Sequence, residues 1–102
     1  MIRSNKIRQY ARGKACLVQI PHGLAHDPAT SVMAHVGGIS AGKGTGIKAS
    51  DLHVVIACAN CHDIMDGRAS SDFERDFIEL CAWRGHGITL YLLQVAGLVE
   101  AT

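Results

Sequence analysis

The eleven residues Ile56-Ala57-Cys58-Ala59-Asn60-Cys61-His62-Asp63-Ile64-Met65-Asp66 restrict this chain more than any other stretch. Two thiols separated by two residues can grip one soft cation from a tight turn. A histidine follows the second thiol directly, and an aspartate stands four residues beyond it. If a helix opens at Cys61, His62 and Asp66 share one of its faces. One short segment can therefore supply half of a structural metal site and part of a second, chemically active one.

Whether the thiols hold metal depends on the compartment and on the remaining ligands. Residues 1–14 are polar and basic, without the apolar run of an export signal. The longest apolar run, 88–99, is interrupted by Gln94 and is too short to span a bilayer. These features predict a cytoplasmic protein, where four cysteines argue for metal or free thiols rather than disulfides. A chain of 102 residues predicts one domain over 1–102 with a small core, which a metal would brace. Cys16 is the third candidate zinc ligand, and His26 or His22 the fourth, because a short loop can carry either back to the metal. Cys81 sits on an apolar helical stripe and reads as core. Two buried unliganded thiols are the plainer alternative. A thioredoxin-type redox pair lacks its βαβ context, and the Cys-x-x-Cys-His pattern of haem attachment needs export.

Net charge is +1, but its distribution is uneven. Up to Ser50 there are seven basic residues and one acid; from Asp51 onward there are three basic residues and eight acids. A basic first half fits a polyanion such as nucleic acid, or a surface whose halves attract each other.

Ser4 can cap a helix over 5–11 that Gly13 ends. Residues 16–20 and 31–36 are strand candidates, and 51–57 is a third strand or an extended lead-in to the knuckle. Residues 37–46 hold five of the eleven glycines and predict a wide turn. Within it, Gly42-Lys43-Gly44-Thr45-Gly46 lacks the spacing of a P-loop, leaving Lys43 as a phosphate contact. A short helix over 61–66 ends at Gly67. Ser70 or Ser71 caps the next helix, with a capping box from Ser71 to Glu74. Phe73, Phe77, Leu80 and Cys81 form its apolar stripe. Beyond Gly85-His86-Gly87 the pattern continues as a second helix or as the same helix with a kink. The apolar content of this C-terminal part permits a homodimer. His53 reads as structural and His86 as a surface turn residue. His35 ends a strand among small neighbours that leave its ring accessible, as a general base beside a metal requires.

A strand ending in His, a loop, and a Cys-x-x-Cys-His that opens a helix resemble the HNH (His-Me finger) endonucleases. More closely, the chain resembles the small HNH-like nucleases of lambdoid phages and prophages, the YbcO-like family. The likeness runs through Ala11-Arg12-Gly13, Cys16 with Ile20-Pro21, 28–35, Gly44-Thr45-Gly46 with Lys48, Asp51-Leu52, Ile56-Ala57-Cys58 and Cys61-His62-Asp63. It implies an α+β fold: a small zinc-braced ββα-metal domain with flanking N-terminal and C-terminal helices. It implies a metal-dependent endonuclease or nickase that hydrolyses DNA. His35 would be the general base, Asp51 would stand where the middle Asn orients that base, and His62 would hold the catalytic divalent ion (Mg or another). Asp66, or Asp63, would be the second ligand. Ala34 occupies a position that is often Asp or His in HNH sites. The family's Cys at the position of Leu24 is absent, which favours His26 over His22 beside Cys16, Cys58 and Cys61. Arg12, Lys14, Lys43 and Lys48 would hold phosphates without reading sequence. The competing expectations are a catalytically inactive zinc-braced module that binds nucleic acid or protein, and a thiol redox protein.

Overall fold

The computed structural model describes residues 4–37 and 51–99. Lys43, Lys48 and the glycine-rich loop beyond Gly37 lie outside them. The order is α1 (Asn5–Tyr10), a 3-10 turn (Pro28–Thr30), β1 (Val32–His35), β2 (Val54–Ala57), α2 (Ala59–Met65) and α3 (Arg75–Val95).

β1 and β2 pair antiparallel, with Val32 opposite Ala57 and His35 opposite Val54. Every residue of β2 is buried, which requires cover on both faces of the hairpin. Alternation along the strand divides the core accordingly. Val55 and Ala57 join Cys16, Val18, Ile20, Cys58, Cys61, Ile64, Cys81 and Ala82. Val54 and Ile56 join Ile7, Ala11, Met33 and Leu93.

The outer edge of β2 is closed without a third strand. Leu17 N–H donates to the Ile56 carbonyl (2.8 Å). Ile56 N–H donates to Thr89 Oγ1 (3.2 Å), and the Thr89 hydroxyl donates to the Gly85 carbonyl (2.9 Å). His86 Nδ1 donates to the Val54 carbonyl (2.8 Å). Side chains of α3 thus satisfy backbone groups that an open edge would leave exposed. His86 is accordingly a bracing residue rather than a surface turn residue, and its ring stacks on His53 at 6.1 Å.

Residues 16–20 do not form a strand. Gln19 adopts φ 53°, which breaks the extended run, and its side-chain amide donates to the Cys16 carbonyl (2.7 Å). The run is apolar because it is buried; alternation alone cannot distinguish a buried loop from a strand.

α3 passes through Gly85-His86-Gly87 unbroken as a helix of 21 residues. A Cβ at position 85 would lie 2.5 Å from the Leu17 carbonyl oxygen and 2.7 Å from Val55 Cγ2. Gly85 is needed for close approach, not for a break. This approach sets which face is buried: Ile78, Cys81, Ala82, Gly85, Thr89 and Leu93. Phe73, Phe77 and Leu80 are exposed instead, with the two phenyl rings stacked at 4.6 Å. Small residues let α3 settle closer on one side than the bulky stripe would on the other. The helix also starts later than the capping-box pattern predicts. Glu74 is its N-cap without a side-chain bond, while Ser71 Oγ accepts from Phe73 N–H in a preceding turn (3.1 Å).

Candidate functional site

Two groups of chemically active side chains meet on α2. The first faces inward. Cys58 is the N-cap of α2 and its sulfur accepts from Cys61 N–H (3.5 Å), so both thiols point to the same side of the first turn. Cys16 arrives on the 16–20 segment. His26 arrives on a loop pinned to the start of α2, where Asn60 Nδ2 donates to the Ala25 carbonyl (3.3 Å) and Ala59 N–H donates to Thr30 Oγ1 (3.0 Å). His26 Nδ1 lies 3.4 Å from both Cys58 Sγ and Cys61 Sγ. The ligand atoms of Cys16, His26, Cys58 and Cys61 all fall within 4.8 Å of one another.

This donor set fits zinc. A tetrahedral ion with Zn–S bonds of about 2.3 Å holds its donors roughly 3.8 Å apart. The Cys16 thiol is held well below the usual thiol range by its pairing with Cys61, and the same pairing, with burial, pushes the Cys61 thiol up. A divalent cation bound here would leave every sulfur as thiolate. Three cysteines and one histidine make a cluster suited to a structural metal such as zinc.

His22 is beside this cluster but not in it. Its Nδ1 accepts from Leu24 N–H (3.1 Å) and its ring packs on that of His26 at 4.4 Å. Burial, then the neighbouring His26, lower its pKa. Of the two histidines, the structure brings His26 to the thiols.

The second group lies at the end of β1. Asp51 is fully buried. Its Oδ1 lies 2.8 Å from His35 Nε2. Its Oδ2 accepts from Ser4 N–H (2.6 Å) and stands 3.2 Å from Arg8 Nε. A carboxylate this deep needs such partners. With Nε2–H donated to Asp51, His35 Nδ1 carries the free lone pair; the tautomer follows from the pairing. The His35 side chain keeps a quarter of its surface exposed.

His35 lines a cleft of about 570 Å³ together with Met65, Asp66, Arg68, Arg75 and Glu79. Asp66 Oδ2 lies 3.1 Å from His62 Nε2, one helical turn apart. Asp63 faces Arg68 (3.0 Å) rather than His62. Arg75 donates to the carbonyls of Ile64 and Met65, fixing α3 to the C-terminal end of α2. Among the described residues, the cysteine–histidine cluster is the one group of three or more donors within metal reach. His62 and Asp66 therefore form a pair of donors, not a closed cage. Ala34 is buried, so the residue ahead of His35 adds none.

Arg12 is exposed, and Lys14 Nζ lies over the Tyr10 ring at 4.7 Å. Sequence reasoning missed Ser4 and Arg8 as partners of Asp51. The signal was a basic helix beginning at Ser4, whose basic side is in part consumed by a buried carboxylate. It missed Arg68 and Arg75 as well, for which the sequence carries no local signal.

No helix among the described residues is long and apolar enough to cross a membrane. A family model described as "Putative nuclease YbcO" matches residues 5–98. The chain is 36% identical over 95 residues to "Putative nuclease YbcO" of Escherichia coli (strain K12), covering 93% of this chain and 97% of that protein. The same values hold for "Putative nuclease ybcO" of Enterobacteria phage 82. A solved structure, a "putative bacteriophage protein" from Escherichia coli K-12 substr. MG1655, superposes with a TM-score of 0.73 at 33% identity, covering 90% of this chain and all of that one. On this match of family model, relatives and fold, the chain belongs to the family described as "Putative nuclease YbcO".

Proposed function

We propose that the protein is an HNH-type, metal-dependent endonuclease or nickase that hydrolyses DNA phosphodiester bonds, braced by zinc on Cys16, His26, Cys58 and Cys61. The observation that carries this reading is the hydrogen bond between His35 Nε2 and the buried Asp51 (2.8 Å) at the cleft that His35 shares with Asp66.

The residues divide the work. Asp51 fixes the His35 ring and its tautomer, so Nδ1 can take the proton of a water that attacks phosphorus. The bond from phosphorus to the 3′ oxygen breaks, leaving a 5′ phosphate and a 3′ hydroxyl. His62 and Asp66 would hold a divalent ion, which supplies charge stabilisation at the phosphate and the departing oxygen. Two protein donors suit Mg²⁺ or Mn²⁺, which keep waters and complete their shell with substrate phosphate. Arg12 and Lys14, with Lys43 and Lys48 outside the described residues, would hold flanking phosphates.

Plasmid cleavage with Mg²⁺, Mn²⁺ or Ni²⁺ tests this. His35→Ala should reduce nicking at least about 10²-fold while zinc content stays unchanged; equal nicking by both proteins removes His35 as the base. Ala34, where HNH sites often carry an acidic or histidine ligand, motivates the competing reading, a zinc-braced nucleic-acid-binding module without catalysis. Salt-dependent DNA binding that survives loss of both His35 and His62, with no cleavage in any metal, would select it.

A further inference from the structure

Arg68 holds the carboxylate that the reading above gives to the divalent ion. Its Nη1 lies 2.8 Å from Asp66 Oδ2, the same oxygen that faces His62 Nε2 at 3.1 Å. Its Nε and Nη2 lie 3.1 and 3.0 Å from Asp63 Oδ1. The turn after α2 presents it there: Gly67 has φ 76°, and the N–H groups of Arg68 and Ala69 both donate to the Asp63 carbonyl.

A dication on Asp66 Oδ2 and a guanidinium on the same oxygen would be like charges within roughly 5 Å. They cannot share it favourably. Arg68 also lines the cleft beside His35. The other arginine there, Arg75, is committed to the carbonyls of Ile64 and Met65. Arg68 is held by Asp63, nearly half exposed, and by the partly buried Asp66, and its own side chain is more than half exposed. Such pairs are weak and exchange readily.

We propose that Arg68 is a placeholder cation: it occupies Asp66 in the free protein, leaves when a divalent ion arrives, and then pairs with a phosphate of the nucleic acid in the cleft. This rests on the reading of His62 and Asp66 as the ion's donors. It makes ion binding weak without nucleic acid and stronger with it, because the displaced guanidinium gains a new anion. No covalent step is involved.

The test measures Mn²⁺ affinity of the zinc-loaded protein without DNA, from the loss of the free-ion electron paramagnetic resonance signal at low salt. Arg68→Ala and Arg68→Gln should each bind Mn²⁺ about two- to fivefold more tightly than wild type, a difference that shrinks as salt is raised. In the presence of Mn²⁺, the same variants should bind DNA more weakly, with the salt slope reduced by about one. Unchanged or weaker Mn²⁺ binding in both variants overturns the placeholder role. Asp66→Ala separates the two readings. If it abolishes Mn²⁺ binding while the Arg68 variants match wild type, the placeholder falls and the ion site stands. If Asp66→Ala binds like wild type, the ion site falls and the placeholder with it.

Discussion

Cys61 and His62 are neighbours on α2, yet they serve two regions built on opposite principles. The cysteine cluster is closed: four donors converge, three of them buried sulfurs. The region at the cleft is open: Asp66, on its wall, and His62 beside it offer two donors, and an arginine covers one of them. A structural metal site fills its coordination shell with protein, whereas a catalytic one keeps positions for water and substrate. The helix turns the side chain by about 100° from one residue to the next, enough to send the thiol inward and the imidazole toward solvent. The contrast teaches that one helical turn can hold a closed donor cluster on one side and, on the proposed reading, an open ion site on the other, without the two competing for donors.

The contrast breaks most visibly if metal is withdrawn. Cys58→Ser, His26→Ala or a strong chelator should remove the brace and cost several kcal/mol, on the order of what structural zinc contributes to small domains. Thermal unfolding with and without chelator measures this. His62→Ala should leave the unfolding temperature within a few degrees, and His35→Ala, which takes one partner from the buried Asp51, should cost less than any change at the zinc ligands. An equal loss in both sets would mean that the two regions are not separate.

Asp51→Ala should rank second. It strips His35, Arg8 and the Ser4 N–H of a fully buried partner, and losing one side of such a buried charged network costs about 3–5 kcal/mol. Denaturant unfolding would show it. Asp51→Asn keeps the volume and should lose less stability, yet lower nicking about 10²-fold by disturbing the His35 tautomer. If Asp51→Asn retains full nicking, the pair is structural alone.

Gly85→Ala comes next. The added methyl meets backbone at Leu17, so overpacking should cost about 1–3 kcal/mol, read as a lower denaturation midpoint with zinc content preserved. The smallest effect belongs to His22→Ala. It packs on His26 without entering the cluster, so it should retain one zinc per chain and lose at most about 1 kcal/mol. Loss of zinc there would make His22 the ligand after all.

Much of the cluster was legible because Cys-x-x-Cys declares its own geometry, and Cys16 was the remaining thiol off the helical stripe. The choice between His22 and His26 was not legible from spacing. It depends on Asn60 and Thr30 pinning the loop to α2, contacts that span some thirty residues. The two strands and the short helix were legible from apolar runs and glycine stops. The face of α3 was not. Phe73, Phe77 and Leu80 carry the stronger hydrophobic signal, but tight approach to β2 favours the side with Ala82 and Gly85. The 16–20 segment misled for a related reason: burial makes any segment apolar, and only the turn at Gln19 excludes a strand.

Gly85 has a mechanical consequence for the cleft. α3 bears on the 16–20 segment and β2 at this point, which makes it the fulcrum of a rigid rod. Arg75, Ile78, Glu79 and Ala82, at one end of that rod, are one jaw of the cleft, and the end of β1 with His35 is the other. Arg75 lies ten residues away, about 15 Å along the helix axis. A displacement of a few tenths of an ångström at the fulcrum therefore alters the aperture of this cleft. The missing methyl group at position 85 acts as a gauge block, setting the clearance of a cleft whose wall it does not itself line.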